Sequence, residues 1–371
     1  MSFSPLHLLR LAGVSPWSDQ ISRQMLDDGE LDRRITNDSI TGVTSNPSIF
    51  AKAIVGTGHY DADVAEMAGR GAATTEIIAS LMTSDIQRGC DALRDVHRHS
   101  DGRDGFVSVE VTPTLAHDTE ATVAEAREWV KRIDRPNLLV KVPATPEGLP
   151  AIRRLVGEGI SINVTLIFSL ERYREVMAAY LDGIESYLEA GGDASRVMSV
   201  ASFFVSRMDT EVDRRLEEIG AEEAMALRGR TAVANAQLAY RAFLDTFTGP
   251  RWDVLAARGA RIQKPLWAST SVKNPDYPDT LYVEQLVAPH TVNTMPVDTI
   301  DAYQDHGPRP NAFGPEDMAR ARHVIDAMEP AGVDYDDVMQ VLEDEGVEKF
   351  TASWNELVDS VEMERRKHAG E

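Results

Sequence analysis

Lys141 is the residue whose setting first suggests chemistry. It stands in LLVKVP, a run that is otherwise apolar on both sides. A lysine at its ordinary pKa of about 10.4 is protonated and no nucleophile, but burial among apolar groups or near other cations lowers that value by several units. The neutral amine then attacks a ketone to give a Schiff base, an electron sink for breaking a carbon–carbon bond. Spacing alone leaves a second reading open, in which Lys141 is only neutralised by a carboxylate such as Glu110.

Glu110 and Asp19 carry the same pair of readings. As counter-ions they would be structural. As reagents they would supply the proton transfers at the carbinolamine oxygen and the base for a substrate hydroxyl that imine chemistry requires. Asn46, Asn163 and Thr165 are of the types that hold sugar hydroxyls, although amides at strand ends also serve as turn and cap residues. Asn163-Val-Thr165 matches a glycosylation sequon, which is discounted because no route to secretion is apparent. A second group follows later in the chain: Ser202, Arg207 five residues on, and Lys273. A forked arginine, a hydroxyl and a point-charge lysine suit a phosphate. The alternative is that Arg207 pairs with Asp209 or with Glu211 one helical turn away.

These residues need elements to position them. Short β-type runs begin at Gly42 (GVTSN), Gly105 (GFVSVEV), Asn137 (NLLVKV), Ser161 (SINVTLIF), Val197 (VMSVASFF), Ile262 (IQKPLWAS) and Thr291 (TVNTM). SPWSD at Ser15 is a weaker eighth, since Pro16 and Ser18 are poor strand formers. Amphipathic helical stretches lie between them; in 121–133 the apolar stripe is read as Ala121, Val123 and Ala124 through Val130. Alternation of this kind implies parallel pairing, and eight units close into a (β/α)8 barrel. An open doubly wound sheet is disfavoured, because no G-x-G-x-x-G follows the first strand and polar residues recur at every second strand position. Ser108 and Glu110, Leu139 and Lys141, Asn163 and Thr165, and Thr44 and Asn46 share the inward parity on their strands. One barrel domain over residues 1–371 is expected, with helical elaboration at about 209–260 and a helical C-terminal extension at about 315–371. The extension is read as three helices, 315–329, 335–345 and 348–366, which either cover the mouth or make a subunit contact, as in a homodimer.

Composition bounds the function. The 371 residues carry 38 basic and 60 acidic side chains, a net charge of −22, which argues against a nucleic-acid or anionic-membrane surface. An anionic ligand must be held by local cations against that field. The single cysteine, Cys90, excludes an intramolecular disulfide and a cysteine-based metal site, and fits a cytoplasmic setting. No signal peptide is expected, and the longest apolar run, from Val197 to Val205, is about half a membrane span.

Three segments together resemble the transaldolase family: GVTSNPSIFAKAI at Gly42, NLLVKVPATPEGLPAIRRL at Asn137 and GISINVTLIFSLERY at Gly159. The similarity runs from about Ser15 to at least Asn293. It implies a (β/α)8 barrel that moves a dihydroxyacetone unit between phosphorylated ketoses and aldoses in the non-oxidative pentose phosphate pathway, with no metal or organic cofactor. By the resemblance, Lys141 is the imine-forming lysine, Glu110 an acid/base acting through water, and Asp19 the base for the C4 hydroxyl. Asn46, Asn163 and Thr165 match residues around the dihydroxyacetone moiety, with Thr44 near them; Ser202 and Arg207 match phosphate contacts. Phe204 stands where relatives that run plain aldol cleavage carry Tyr. Ser45 departs from the commoner Thr, and Lys273 stands where many members use arginine. SPWSD has the S-x-W-x-D form of a longer-chain bacterial subgroup. A Schiff-base aldolase releasing free dihydroxyacetone is the nearest rival. A metal-dependent hydrolase using Asp19, Glu110 and His117, and a phosphosugar-binding protein without turnover, are more distant ones.

Overall fold

The computed structural model describes residues 3–54 and 58–369. Its strands are β1 (Val14–Ser18), β2 (Gly42–Val43), β3 (Val107–Glu110), β4 (Leu138–Pro143), β5 (Ile162–Ile167), β6 (Ser199–Phe204), β7 (Gln263–Ala268) and β8 (Thr291–Met295). They pair in sequence order, all parallel, and β1 closes on β8 through Val14↔Thr291 to Ser18↔Met295. The result is a (β/α)8 barrel, as the alternation of runs predicts.

Even the weak first run is a strand. Pro16 has no N–H to give, but its carbonyl accepts from Thr41 N at 2.8 Å, so β1 keeps its place beside β2. Strand β2 is shorter than GVTSN suggests. Thr44 N still bonds Ser18 O at 2.8 Å, after which the Asn46 side-chain oxygen accepts from Ile49 N at 3.1 Å and starts the helix Pro47–Ile54.

Register does the next part of the work. Glu110 lies opposite Lys141, and Lys141 opposite Asn163, so one row across β3, β4 and β5 carries an acid, an amine and an amide. Apolar residues of opposite parity, among them Val109, Val140, Val142 and Val164, are buried in the same core cluster as the surrounding helices. The helix Thr119–Ile133 shows how those helices dock. Asp118 caps it, and its buried stripe is Thr122, Val123, Ala126, Trp129 and Ile133. Ala124 is exposed and Ala121 only partly buried, a correction to the stripe read from sequence, which the 3.6-residue period places one position further on.

The elaboration after β6 consists of four helices, Ser206–Ile219, Glu222–Met225, Thr231–Thr246 and Pro250–Ala257. In the C-terminal extension, Pro315–Asp326 is followed by one continuous helix of 35 residues, Tyr335–Ala369, in place of two. A glycine inside a helix costs only about 1 kcal/mol, and tertiary packing carries this helix through Gly346. The long helix bonds to residues around the C-terminal end of the barrel. Ser48 Oγ donates to Ser353 Oγ at 2.6 Å, Arg172 pairs with Glu343 at 3.5 Å, and Arg215 pairs with Asp337 at 2.6 Å. Of the two placements expected for the extension, covering the mouth is therefore the one realised in the chain. Among the described residues no helix is long and apolar enough to cross a membrane.

Gly42 fixes the entry to β2. A Cβ there would lie 2.3 Å from the Trp17 ring, and Trp17 is fully buried and held by its Nε1 bond to Asp104. Gly42→Ala is expected to lower unfolding stability by about 1–3 kcal/mol, the usual range for overpacking, measured by chemical denaturation; an unchanged midpoint would contradict this packing.

Candidate active site

Lys141 points into the barrel and is 5 % exposed; Glu110 beside it is 6 % exposed. The amine donates to Glu110 Oε2 and to the Ser45 carbonyl oxygen, both at 3.4 Å. These are long for charge-assisted bonds, which favour about 2.7–2.9 Å. The lysine is thus accompanied by a carboxylate without being tightly clamped by it, and both readings of the sequence meet in one geometry. Burial pushes the Glu110 carboxyl up to about 7, against the opposing pull of Lys141 and, further off, Arg207.

Asp19 follows the last residue of β1, anchored by its N–H to Met295 O at 3.0 Å. Burial raises its carboxyl to about 6, while Lys141 and then Lys273 pull the other way. Its Oδ1 is buried without a hydrogen-bond partner. Thr165 Oγ1 and Arg207 Nη1 share that condition. Buried polar atoms are seldom left so, since each costs about 1–3 kcal/mol, and three of the residues singled out from sequence carry one.

Below the lysine a chain of bonds fixes the amide. Ser202 Oγ donates to Asn163 Oδ1 at 2.7 Å, and Asn163 Nδ2 donates to Ser108 Oγ at 3.0 Å. Ser202 is 1 % exposed, so its hydroxyl is committed to Asn163 in this structure. Thr44 Oγ1 shares a 2.9 Å hydrogen bond with Thr294 Oγ1, and Asn46 spends its side-chain oxygen on the helix cap.

Arg207 opens the helix after β6, and neither proposed partner takes it. Asp209 accepts from Thr231, Ala232 N and Tyr282, while Glu211 is bound by Arg214 and Arg215. Burial depresses the guanidinium below its usual range, and the nearby Glu345 and Glu110 only partly offset this. Its guanidinium carbon sits 5.0 Å from the Phe204 ring centroid and 5.8 Å from that of Phe350, a cation held by aromatic faces. Lys273 is exposed and donates to Ser271 Oγ. A largely buried fork and an exposed point charge, within electrostatic reach of Glu110 and Asp19 respectively, suit an anionic end of a substrate that enters from outside.

Phe350 and Glu345, both on the C-terminal helix, were not assigned to the site from sequence. Phe350 lies 5.3 Å from Lys141 Nζ by its ring centroid. The apolar pair Phe350 and Trp354, four residues apart in a charge-rich helix and both packed on the core, was the available signal. His117, by contrast, is exposed and bonded to the exposed side chain of Glu147 at 3.1 Å, which separates it from the hydrolase trio considered above. Among the described residues no three His, Cys, Asp or Glu side chains gather as a metal-binding group. Cys90 is buried, its thiol pushed up to about 12, and is chemically inert there.

A parallel barrel with a buried amine, two raised carboxyls and an unpaired arginine at one end has the groups that a lysine-imine enzyme making or breaking carbon–carbon bonds requires. A family profile described as Transaldolase/Fructose-6-phosphate aldolase matches residues 16–361. The chain belongs to that family. It is similar to a protein named Transaldolase from Thermobifida fusca (strain YX), 55 % identical over 367 residues, covering 98 % of this chain and 99 % of that one. A Transaldolase from Mycolicibacterium smegmatis is 54 % identical over 96 % of both chains, and one from Mycobacterium leprae (strain Br4923) is 54 % identical over 95 % of this chain and 94 % of its own.

The two raised carboxyls set a pH dependence. The base role expected of Asp19 from sequence requires the ionised form, so on that expectation kcat/KM rises through an acid limb with an apparent pKa of about 6. An acid limb near the ordinary 3.8 would contradict the burial described. The sign for stability is opposite. The folded chain keeps these protons at pH values where the unfolded chain has lost them, so their contribution to stability falls as pH rises from about 4 to about 7.

Proposed function

We propose that the chain is a transaldolase working by ping-pong transfer through Lys141, with residues 1–371 acting as one domain. The neutral amine attacks C2 of fructose 6-phosphate or sedoheptulose 7-phosphate. Glu110, with a carboxyl near 7, both gives and takes protons as the carbinolamine loses water. Asp19, about a unit lower and so mainly ionised at neutral pH, removes the C4 hydroxyl proton. The C3–C4 bond breaks, the aldose phosphate leaves, and the three-carbon enamine stays on Lys141. Glyceraldehyde 3-phosphate or erythrose 4-phosphate then accepts it, and the reverse steps free the ketose phosphate. This is a reaction of the non-oxidative pentose phosphate pathway.

The observation that carries the reading is the loose, buried Lys141–Glu110 pair beside the orphaned oxygen of Asp19. Asn163, Thr165, Asn46 and Thr44 line the three-carbon end. Arg207 and Lys273 take the phosphate, and Ser202 serves by fixing the Asn163 amide, from which a phosphate would have to draw it away. Phe204, packed 5.2 Å from Phe168, leaves no hydroxyl at its position, which supports transfer over simple aldol cleavage. The imine takes the place of a Lewis acid, so the chemistry needs no cofactor. The lone buried cysteine supports a cytoplasmic location, and a homodimer is compatible with the exposed helical shell.

Sodium borohydride added with fructose 6-phosphate is expected to inactivate the enzyme and leave a reduced three-carbon adduct on the Lys141 peptide, read by mass spectrometry. Lys141→Ala should abolish both labelling and transfer. Full activity in that variant, or an adduct elsewhere, would overturn the assignment.

A further inference from the structure

The C-terminal helix is held against the mouth closely enough to reach the reacting amine. Gly346 makes this possible. A Cβ there would lie 3.2 Å from Leu166 Cδ2 and 3.3 Å from Phe168 Cε2, so a larger residue requires those side chains to give by a few tenths of an ångström or the helix to move off the barrel. Leu166 reaches that place through an irregularity in β5, where the pairing register shifts between Val164 and Ile167 and Leu166 takes φ 59°. A left-handed leucine is strained, and the strained conformation brings its side chain up to Gly346.

One helical turn beyond Gly346, Phe350 faces three members of the site at once. Its ring centroid is 5.3 Å from Lys141 Nζ, 5.8 Å from the Arg207 guanidinium carbon and 6.5 Å from the Phe204 ring. Glu345, the acidic neighbour of Arg207, is drawn to Lys349 on the same helix, which leaves the arginine open to a ligand. The helix therefore places an apolar face, not a charge, over the amine.

That face bears on a choice built into imine chemistry. After C3–C4 cleavage the enamine on Lys141 has two fates. Attack of its C3 on an aldehyde carbon makes the new ketose. Protonation at C3 instead gives an iminium; water adds at C2, the carbon–nitrogen bond breaks, and free dihydroxyacetone leaves with the lysine amine restored. The second route takes up a proton at C3 in place of the acceptor; in either route the one water lost when the imine formed is returned when the imine is hydrolysed. We propose that Phe350 is a specificity-determining residue that shields C3 of the Lys141 enamine from protonation, so that the three-carbon unit is passed on and not released. The inference rests on the transfer mechanism above and adds to it a role for the C-terminal helix.

The test is the ratio of dihydroxyacetone released to unit transferred, with fructose 6-phosphate as donor and erythrose 4-phosphate as acceptor. In Phe350→Ala that ratio is expected to rise about tenfold, with borohydride trapping on Lys141 retained. Phe350→Leu should restore most of the partition. Gly346→Ala, which touches no substrate, should shift the ratio in the same direction by displacing the helix, by about threefold. A role in folding alone would lower release and transfer together and leave the ratio where it was. A ratio within about twofold of the parent in Phe350→Ala, with trapping intact, overturns the proposal while the lysine mechanism stands. If Phe350→Ala does not fold, an unchanged ratio in Gly346→Ala overturns it instead. Failure of the parent chain to trap any adduct removes the mechanism and the proposal together.

Discussion

Lys141 and Glu110 lie 3.4 Å apart with 5 % and 6 % of their surfaces exposed, and the rest of the site is arranged around that fact. Removing an ammonium and a carboxylate from water is expensive, and their mutual attraction offsets it only with good geometry and further hydrogen bonds. Here the geometry is loose and the further bonds are few: the Ser45 carbonyl for the amine and, among the described residues, Lys141 for the acid. The balance is met on the acid side, by a carboxyl that keeps its proton up to about 7. A pair that is poorly satisfied as a salt bridge is well placed to exchange protons.

The same dryness governs the other groups. Asp19 is raised to about 6 by burial, and Arg207 is depressed by it. The parallel register supplies the floor, setting Glu110, Lys141 and Asn163 in a row that no local sequence feature could create alone. The C-terminal helix supplies the roof through Phe350. With a net charge of −22, the chain as a whole repels phosphorylated sugars at long range. Recognition must then come from short-range groups, and an arginine buried without a carboxylate partner is suited to that task.

Much of this was legible in the chain. The alternating polar residues of 107–110 and 162–167, with Lys141 on the same parity of 138–143, pointed to the barrel and its inward face, because side-chain alternation in a strand is fixed by geometry. Lys141 stood out for the same reason, as a charge in an apolar run. What stayed hidden depends on distant packing. Gly346 looks like a helix boundary locally and is a helix interior in the fold, since the contact that explains it is with Leu166 and Phe168. Phe350 could not be placed over Lys141 without knowing where the last helix lies. The bond from Ser202 to Asn163 likewise depends on the stagger of β5 against β6, which no local pattern shows.

The central claim is that burial at the barrel mouth keeps Asp19 and Glu110 protonated far above their ordinary range. The most direct measurement is a titration of the two carboxyl carbons by NMR in the 13C-labelled enzyme, with Asp19→Asn and Glu110→Gln to assign the signals. The account predicts midpoints near 6 for Asp19 and near 7 for Glu110. Midpoints for both near 4, where exposed carboxylates titrate, would contradict it.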